Sequence, residues 1–219
     1  MALAIFDLDN TLIHGDSDYL WGKFLIEQHA VDAEHFEKCN DAFYADYQAG
    51  TLDIMAYQRF SLAPLTSHPM ETLIAWRKTF MHQYILPIYQ NKAQSIVDQH
   101  RRQGDQLLII TATNSFVTRP IADLYGIDAL IGTDPEIKDN RFTGEVVGTP
   151  SFQHGKVTRL QEWLAHQPLD LKDSYFYSDS HNDIPLLELV TNPVMVDADD
   201  ALLAHGQIKH WTETSFRDI

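Results

Sequence analysis

Three apolar runs in this chain break off abruptly in acids, hydroxyls or amides, and that pattern permits few folds. Leu3-Ala4-Ile5-Phe6 gives way to Asp7-Leu8-Asp9-Asn10-Thr11, Leu107-Leu108-Ile109-Ile110 to Thr111-Ala112-Thr113-Asn114, and Tyr175-Phe176-Tyr177 to Ser178-Asp179-Ser180. A short continuous apolar run bounded by turn formers reads as a strand buried on both faces. Helical stretches separate the later runs: Asn91–Gln103 stopped by Gly104, 116–125 ending at Gly126, 155–166 and 183–190. Further strands are expected over 129–132 and 194–196, the latter the last core strand, with a hairpin over 137–147 turning at Asp139-Asn140. Strands that alternate with helices require a parallel sheet covered on both faces, so the predicted fold class is α/β, a doubly wound parallel sheet.

Between the first strand and Pro87 the pattern changes. Aromatic and aliphatic residues recur at helical spacing (Tyr19, Leu20, Phe24, Leu25; Phe43, Tyr44, Tyr47; Leu73, Trp76, Phe80, Tyr84), interrupted at Ala49-Gly50-Thr51 and between Pro64 and Pro69. This predicts several helices and no strand, inserted after the first strand. The expected division is a core of 1–14 and 86–219 with a helical insertion of 15–85. Residues 207–219 carry no readable pattern.

Composition narrows the function. Acids outnumber bases 31 to 16, a net charge of −15, and such a field repels phosphate backbones and anionic lipid, so neither nucleic acid nor a membrane is an expected partner. Apolar residues make up 44% of the chain, but no run approaches the length of a bilayer span. No basic stretch precedes the first apolar run, and the single Cys39 cannot form an internal disulfide. A cytoplasmic, reducing location is the expectation.

In an open parallel sheet, ligands bind beyond the carboxyl ends of the strands where strand order reverses. The strand assignments bring four groups to that edge: Asp7 with Asp9, Thr111, Asp179 with Asp183, and Lys156 at the opening of a helix. Converging carboxylates repel one another unless a cation joins them. An all-oxygen set suits Mg²⁺, which is held by one or two carboxylates, waters and a substrate phosphate. A lysine and a hydroxyl beside it complete a phosphate pocket. Asp7 and Asp9, two residues apart, leave the strand end on the same side, so one can attack while the other handles protons.

Asp7-Leu8-Asp9-Asn10-Thr11-Leu12, Thr111, Lys156 and Asp179-Ser180-His181-Asn182-Asp183 resemble, in order and spacing, the four motifs of the haloacid dehalogenase superfamily of phosphohydrolases. The insertion after the first motif resembles the cap of its phosphoserine phosphatase-like branch. The resemblance implies that Asp7 is the nucleophile that becomes an aspartyl phosphate and Asp9 the general acid and base. It implies that Thr111 and Lys156 hold the phosphoryl group, and that Asp7, Asp9 through its backbone carbonyl, and Asp179 bind Mg²⁺ with Asp183 in support. Asn114 and Asn182 join the implied substrate-binding set. In the cap, Gly50-Thr51-Leu52-Asp53 followed by Arg59-Phe60-Ser61-Leu62 is similar to phosphoserine phosphatase, where the equivalent arginine binds the substrate carboxylate. Asp16 stands where that family has a glutamate for the substrate ammonium. Gly15-Asp16-Ser17-Asp18, Trp21-Gly22 and Asn40-Asp41-Ala42-Phe43-Tyr44 resemble a bacterial group of the branch that includes histidinol-phosphatases.

Plainer readings stand beside these. Arg59 can pair with a cap carboxylate at the surface, and Asp16 can simply cap the helix that follows it. Asp197 to Asp200 lacks a calcium-loop pattern and reads as a solvated turn. The histidines lack metal-ligand spacing. The expected activity is Mg²⁺-dependent hydrolysis of a small amine-bearing phosphate monoester. Histidinol phosphate comes first from the wider resemblance, and Asp16, Asp18 and the acidic field suit its cationic end, whereas Arg59, if it faces the substrate, is better matched to phosphoserine's carboxylate or to the phosphate itself. Phosphoserine or a broader set of metabolites is the alternative substrate reading. A receiver-like domain that stores phosphoaspartate is the non-enzymatic one. Homo-oligomerisation is left open.

Overall fold

The computed structural model describes residues 2–217. Met1, Asp218 and Ile219, at the outer bounds of the expected core, lie outside the described residues. Seven strands form one sheet: β1 (Leu3–Phe6), β2 (Gln106–Asn114), β3 (Ala129–Lys138), β4 (Arg141–Val147), β5 (Tyr175–Ser178), β6 (Asn192–Val196) and β7 (Thr212–Thr214). Their order is β4-β3-β2-β1-β5-β6-β7, parallel throughout except for the antiparallel β3–β4 hairpin. β1 lies between β2 and β5, so the chain reverses its direction of travel across the sheet there, and the carboxyl edge beside β1 is the switch point.

Four helices, α1 (Ser17–Glu27), α2 (Ala33–Gln48), α3 (Ile54–Thr66) and α4 (Met70–Phe80), follow β1. The remainder are α5 (Asn91–Gln103), α6 (Ser115–Leu124), α7 (His154–Leu164), the short α8 (Ile184–Leu187) and α9 (Asp200–Lys209). The insertion is helical without strands, as its spacing predicts. Strand side chains alternate between two apolar clusters, one on each face of the sheet. Leu3, Ile5, Leu108, Ile110 and Phe176 pack with Leu160, Leu186 and Leu202. Ala4, Phe6, Leu107, Ile109 and Tyr177 belong to the other cluster, which continues through Val97, Val117 and Ile121 into Trp21, Phe24, Leu62, Leu73 and Phe80. The insertion therefore shares its apolar packing with one face of the sheet. Trp21 stacks on Phe24 at 5.3 Å and meets Phe80 edge-on at 5.1 Å. α2 buries only Phe36 and Asn40.

Several boundaries differ from the sequence reading. β2 continues through Thr111 to Asn114, because the polar residues after Ile110 remain paired with β3 across a register shift. β3 joins the expected 129–132 strand to the hairpin, with a second register shift between Pro135 and Ile137. Pro64 lies inside α3, and the break comes at Ser67, the helix's carboxyl cap. The expected 183–190 helix is a single turn, His181–Asp183, followed by α8. Val196 does not end the sheet, since α9 leads to β7, paired beside β6. Asp197 to Asp200 is not merely a solvated turn: Asp199 caps α9 by accepting from the Leu202 amide, and Asp197 accepts from the Phe216 amide. The stop at Gly104 holds, with φ at 79° and open space around it, so backbone conformation alone selects glycine there.

Candidate active site

Asp7 is the first residue past β1, and its amide donates to the Tyr177 carbonyl at 2.9 Å, so the neighbouring strand fixes it at the sheet edge. Its carboxylate is 3% exposed as part of the residue and accepts from Lys156 Nζ at 2.8 Å. Lys156 reaches it from α7, and Gly155 makes the approach to that helix fit: a Cβ there would stand 2.1 Å from the Pro150 carbonyl. The same Nζ lies 2.8 Å from Asp183, whose Oδ2 also accepts from Ser178 Oγ at 2.7 Å. Burial works against the lysine's charge, but Asp183 and Asp7 outweigh it and raise its pKa, so it stays protonated.

Burial pushes the pKa of Asp7 up to about 7, with Lys156 opposing and Asp183 adding to the rise. Asp179 is raised well above the ordinary carboxylate range by burial first and the charge of Asp7 second, while Thr11 Oγ1 donates to its Oδ1 at 2.9 Å. One ammonium thus pairs with two of three neighbouring carboxylates, and full ionisation calls for a further positive charge. Among the described residues, no three Asp, Glu, His or Cys side chains are gathered to hold a metal by themselves. Asp183 is engaged by Lys156 and Ser178, which leaves Asp7 and Asp179 as the carboxylate donors. Two hard carboxylates, with remaining positions for carbonyl, water and phosphate oxygen, fit Mg²⁺.

Asp9 sits in an irregular turn, Leu8–Leu12, in which Asn10 has φ 56°. Its Oδ1 accepts from the Ser17 amide at 2.6 Å, and its Oδ2 from Thr113 Oγ1 at 2.8 Å and Thr111 Oγ1 at 3.3 Å. Thr113 is a site residue that sequence reasoning missed. The available signal was strand alternation, which places it on the same face as Thr111 once β2 is seen to continue.

Asp7, Asp9, Thr111, Thr113, Lys156, Asn182 and Asp183 line one cavity together with Asp16, Asp18, Asn40 and the rings of Tyr19, Phe43, Tyr44, Tyr47, Tyr57 and Phe152. Asp16 lines the cavity and also caps α1, as the plainer sequence reading has it, accepting from the Asp18 and Tyr19 amides at 3.0 and 2.9 Å. Asp18 is 7% exposed, accepts a hydrogen bond from Asn114 Nδ2 at 3.3 Å, and has its pKa pushed up to about 7 chiefly by burial, with the nearby Tyr57 side chain opposing the rise. Asn182 Nδ2 donates to the Tyr47 carbonyl at 3.2 Å, tying the fourth motif to the insertion.

Two expected substrate contacts are placed elsewhere. Asn114 is not a lining residue: its Oδ1 caps α6 at the Val117 amide, and its Nδ2 supports Asp18 from behind. Arg59 is exposed on α3 and does not line the cavity. Helix geometry is the reason: at about 100° per residue, a helix that turns Ile54 and Tyr57 inward carries Arg59 to the other side.

A doubly wound sheet with paired aspartates, a buried lysine and supporting hydroxyls at its switch point defines an α/β enzyme whose candidate active site is this acidic cavity. The chain belongs to the haloacid dehalogenase-like hydrolase family, which matches residues 4–188. It is 45% identical over 98% of its length to a Neisseria meningitidis protein named histidinol-phosphatase, of which it covers 99%. It is 29% identical over 99% of its length to a Mycobacterium tuberculosis protein named phosphoserine phosphatase, covering 71% of that chain. A solved structure from Bordetella pertussis, of a protein with unknown function, superposes with a TM-score of 0.93 at 43% identity, covering 99% of each chain. Among the described residues, no helix is long and apolar enough to cross a membrane.

Proposed function

We propose that this enzyme is a Mg²⁺-dependent phosphomonoesterase that acts on histidinol phosphate through an aspartyl phosphate, with the helices of 15–85 serving as a cap over a core of 1–14 and 86–219. A free Asp7 oxygen attacks phosphorus, the ester P–O bond breaks, and Asp9 protonates the departing alkoxide. Asp9 then takes a proton from water, whose oxygen attacks phosphorus and frees Asp7 and phosphate. Lys156 orients Asp7 and faces the phosphoryl oxygens, while Thr111 and Thr113 hold Asp9 in place. Asp7, the Asp9 carbonyl and Asp179 would hold Mg²⁺, which supplies charge neutralisation between the anionic nucleophile and the anionic ester. Asp179→Asn is expected to raise the Mg²⁺ concentration for half-maximal activity by about tenfold or more. A metal titration checks this, and an unchanged requirement removes Asp179 from the metal site.

The observation that carries the choice of substrate is the charge of the cavity lining. Among the described residues Lys156 is the one cationic side chain in that lining and is committed to Asp7 and Asp183, while Asp16 and Asp18 project from the insertion among aromatic rings. An ammonium finds carboxylates there and an imidazole finds rings; a substrate carboxylate finds no cation. The name of the 45% identical relative agrees with this reading. The receiver-like alternative gives way to the family match, and phosphoserine remains the second substrate reading, supported by the name of the 29% identical relative.

Asp18→Asn tests the reading. It is expected to lower kcat/KM for histidinol phosphate by about 10- to 100-fold, the scale of a lost charge-assisted hydrogen bond, and to leave p-nitrophenyl phosphate within a few-fold. Because burial holds the Asp18 pKa up to about 7, its carboxylate gains charge as pH rises through neutrality. The KM for histidinol phosphate should therefore fall over that interval, relative to p-nitrophenyl phosphate, and the variant should lose that limb. A kcat/KM for phosphoserine above that for histidinol phosphate in the unmutated enzyme overturns the assignment.

A further inference from the structure

Asp7 and Asp9 are neighbours on the chain but are held by different parts of the molecule. Asp7 is anchored to the sheet through the Tyr177 carbonyl and through Lys156. Asp9 rides on the Leu8–Leu12 turn, whose Asn10 is left-handed at φ 56°. Such a turn leaves carbonyls that no regular ladder satisfies, and the surrounding structure must supply donors. Gln90 Nε2 donates to the carbonyls of Thr11 and Leu12 at 2.7 and 3.2 Å. Arg217 Nη2 donates to the Asn10 carbonyl at 2.9 Å, and Arg217 Nη1 to Gln90 Oε1 at 3.1 Å. One guanidinium fork therefore grips the turn directly and also steadies the amide that, together with the Tyr125 hydroxyl on Leu12, holds its later carbonyls.

Arg217 is itself well placed to act as a fixed point. Phe216 beside it is 1% exposed and lies 6.0 Å from the Tyr177 ring. The Phe216 amide donates to Asp197 at 2.9 Å, and Lys92 Nζ donates to the Arg217 carbonyl. None of Gln90, Phe216 and Arg217 lines the cavity.

We propose that Arg217 is a positioning residue for proton transfer: it fixes the turn that carries Asp9, while Asp7 keeps its place through the sheet. The inference rests on the reading of Asp9 as the acid and base. It makes a prediction that a purely structural tether does not. Loss of the clamp should fall on esters whose leaving group needs a proton and spare those whose leaving group departs unaided.

The test compares Arg217→Ala, Arg217→Lys and the unmutated full chain at saturating Mg²⁺, which compensates any loosening of the Asp9 carbonyl toward the metal, using kcat/KM for histidinol phosphate and for p-nitrophenyl phosphate. Misplacement of an acid–base group by a fraction of an ångström to an ångström costs on the order of 10- to 100-fold. Arg217→Ala is expected to lose that much on histidinol phosphate and no more than about threefold on p-nitrophenyl phosphate, with Arg217→Lys between it and the parent. In an Asp9→Asn background the effect of Arg217→Ala on histidinol phosphate should vanish, because the group it positions can no longer transfer a proton. Equal losses on both esters, or no loss on either, overturn the proposal. If Arg217→Ala does not fold, Arg217→Gln, which keeps a donor, carries the same comparison. An Asp9→Asn variant that itself shows no leaving-group dependence defeats the reading of Asp9 instead, so the two failures are distinguishable.

Discussion

Asp7→Asn is expected to lose at least about 10⁴-fold in turnover while remaining folded, because an amide is no nucleophile toward phosphorus and a covalent route has no substitute for its attacking group. The folded state should tolerate the change. Asparagine has the same shape, and its carbonyl oxygen can accept the Lys156 hydrogen bond that Asp7 Oδ1 accepts at 2.8 Å. It also removes a carboxylate whose charged form burial disfavours and whose neighbour Asp183 repels it. The loss should be equally severe on histidinol phosphate and on p-nitrophenyl phosphate, since both must be attacked. Phosphate release by a variant checked for deamidation by mass spectrometry is the measurement. Turnover near that of the parent removes Asp7 from the role of nucleophile.

The parts of this molecule that are legible in its sequence are those set by local pattern. β1 and α5 match their expected bounds because one is buried on both faces and the other ends at a left-handed glycine. Asp7, Thr111, Lys156 and Asp183 converge because each lies toward the carboxyl end of a strand, just past one or in the first turn of a helix on one edge of the sheet, and a parallel topology leaves little freedom there. β7 escapes notice because Thr212-Glu213-Thr214 is a polar edge strand with no apolar run. The continuity of β3 is hidden by Asp134-Pro135, residue types that ordinarily mark a turn.

Other parts depend on relations that no local window contains. The order of motif residues does not say which way a helix will face, and Arg59 therefore lies on the solvent side of α3 while Tyr57 lines the cavity. The Arg217 contact with Asn10 spans 207 positions and leaves no trace in the composition around either residue. Fixing Asp9 also needs Ser17, Thr111 and Thr113, drawn from the insertion and from β2, so its environment exists only after the insertion has packed against the sheet.

That environment makes Asp9→Asn the more informative counterpart of the nucleophile variant. The side chain receives donors on both oxygens, from the Ser17 amide and from the Thr113 and Thr111 hydroxyls. Asparagine can keep the first bond through its carbonyl and donate to hydroxyls that rotate to accept, so the geometry survives while proton transfer is lost. General acid–base groups contribute about 10²–10⁴-fold, and kcat/KM for histidinol phosphate should fall within that range. p-Nitrophenyl phosphate should still phosphorylate Asp7, because its phenolate leaves without a proton, but the variant then lacks the base that activates water. Stopped-flow absorbance should consequently show a burst approaching one p-nitrophenolate per active site, followed by slow turnover. A loss on histidinol phosphate smaller than about tenfold contradicts the role of Asp9 as the acid. A burst absent from a variant that still turns over p-nitrophenyl phosphate slowly contradicts its role as the base in the second step, because breakdown of the phosphoenzyme would then not be limiting.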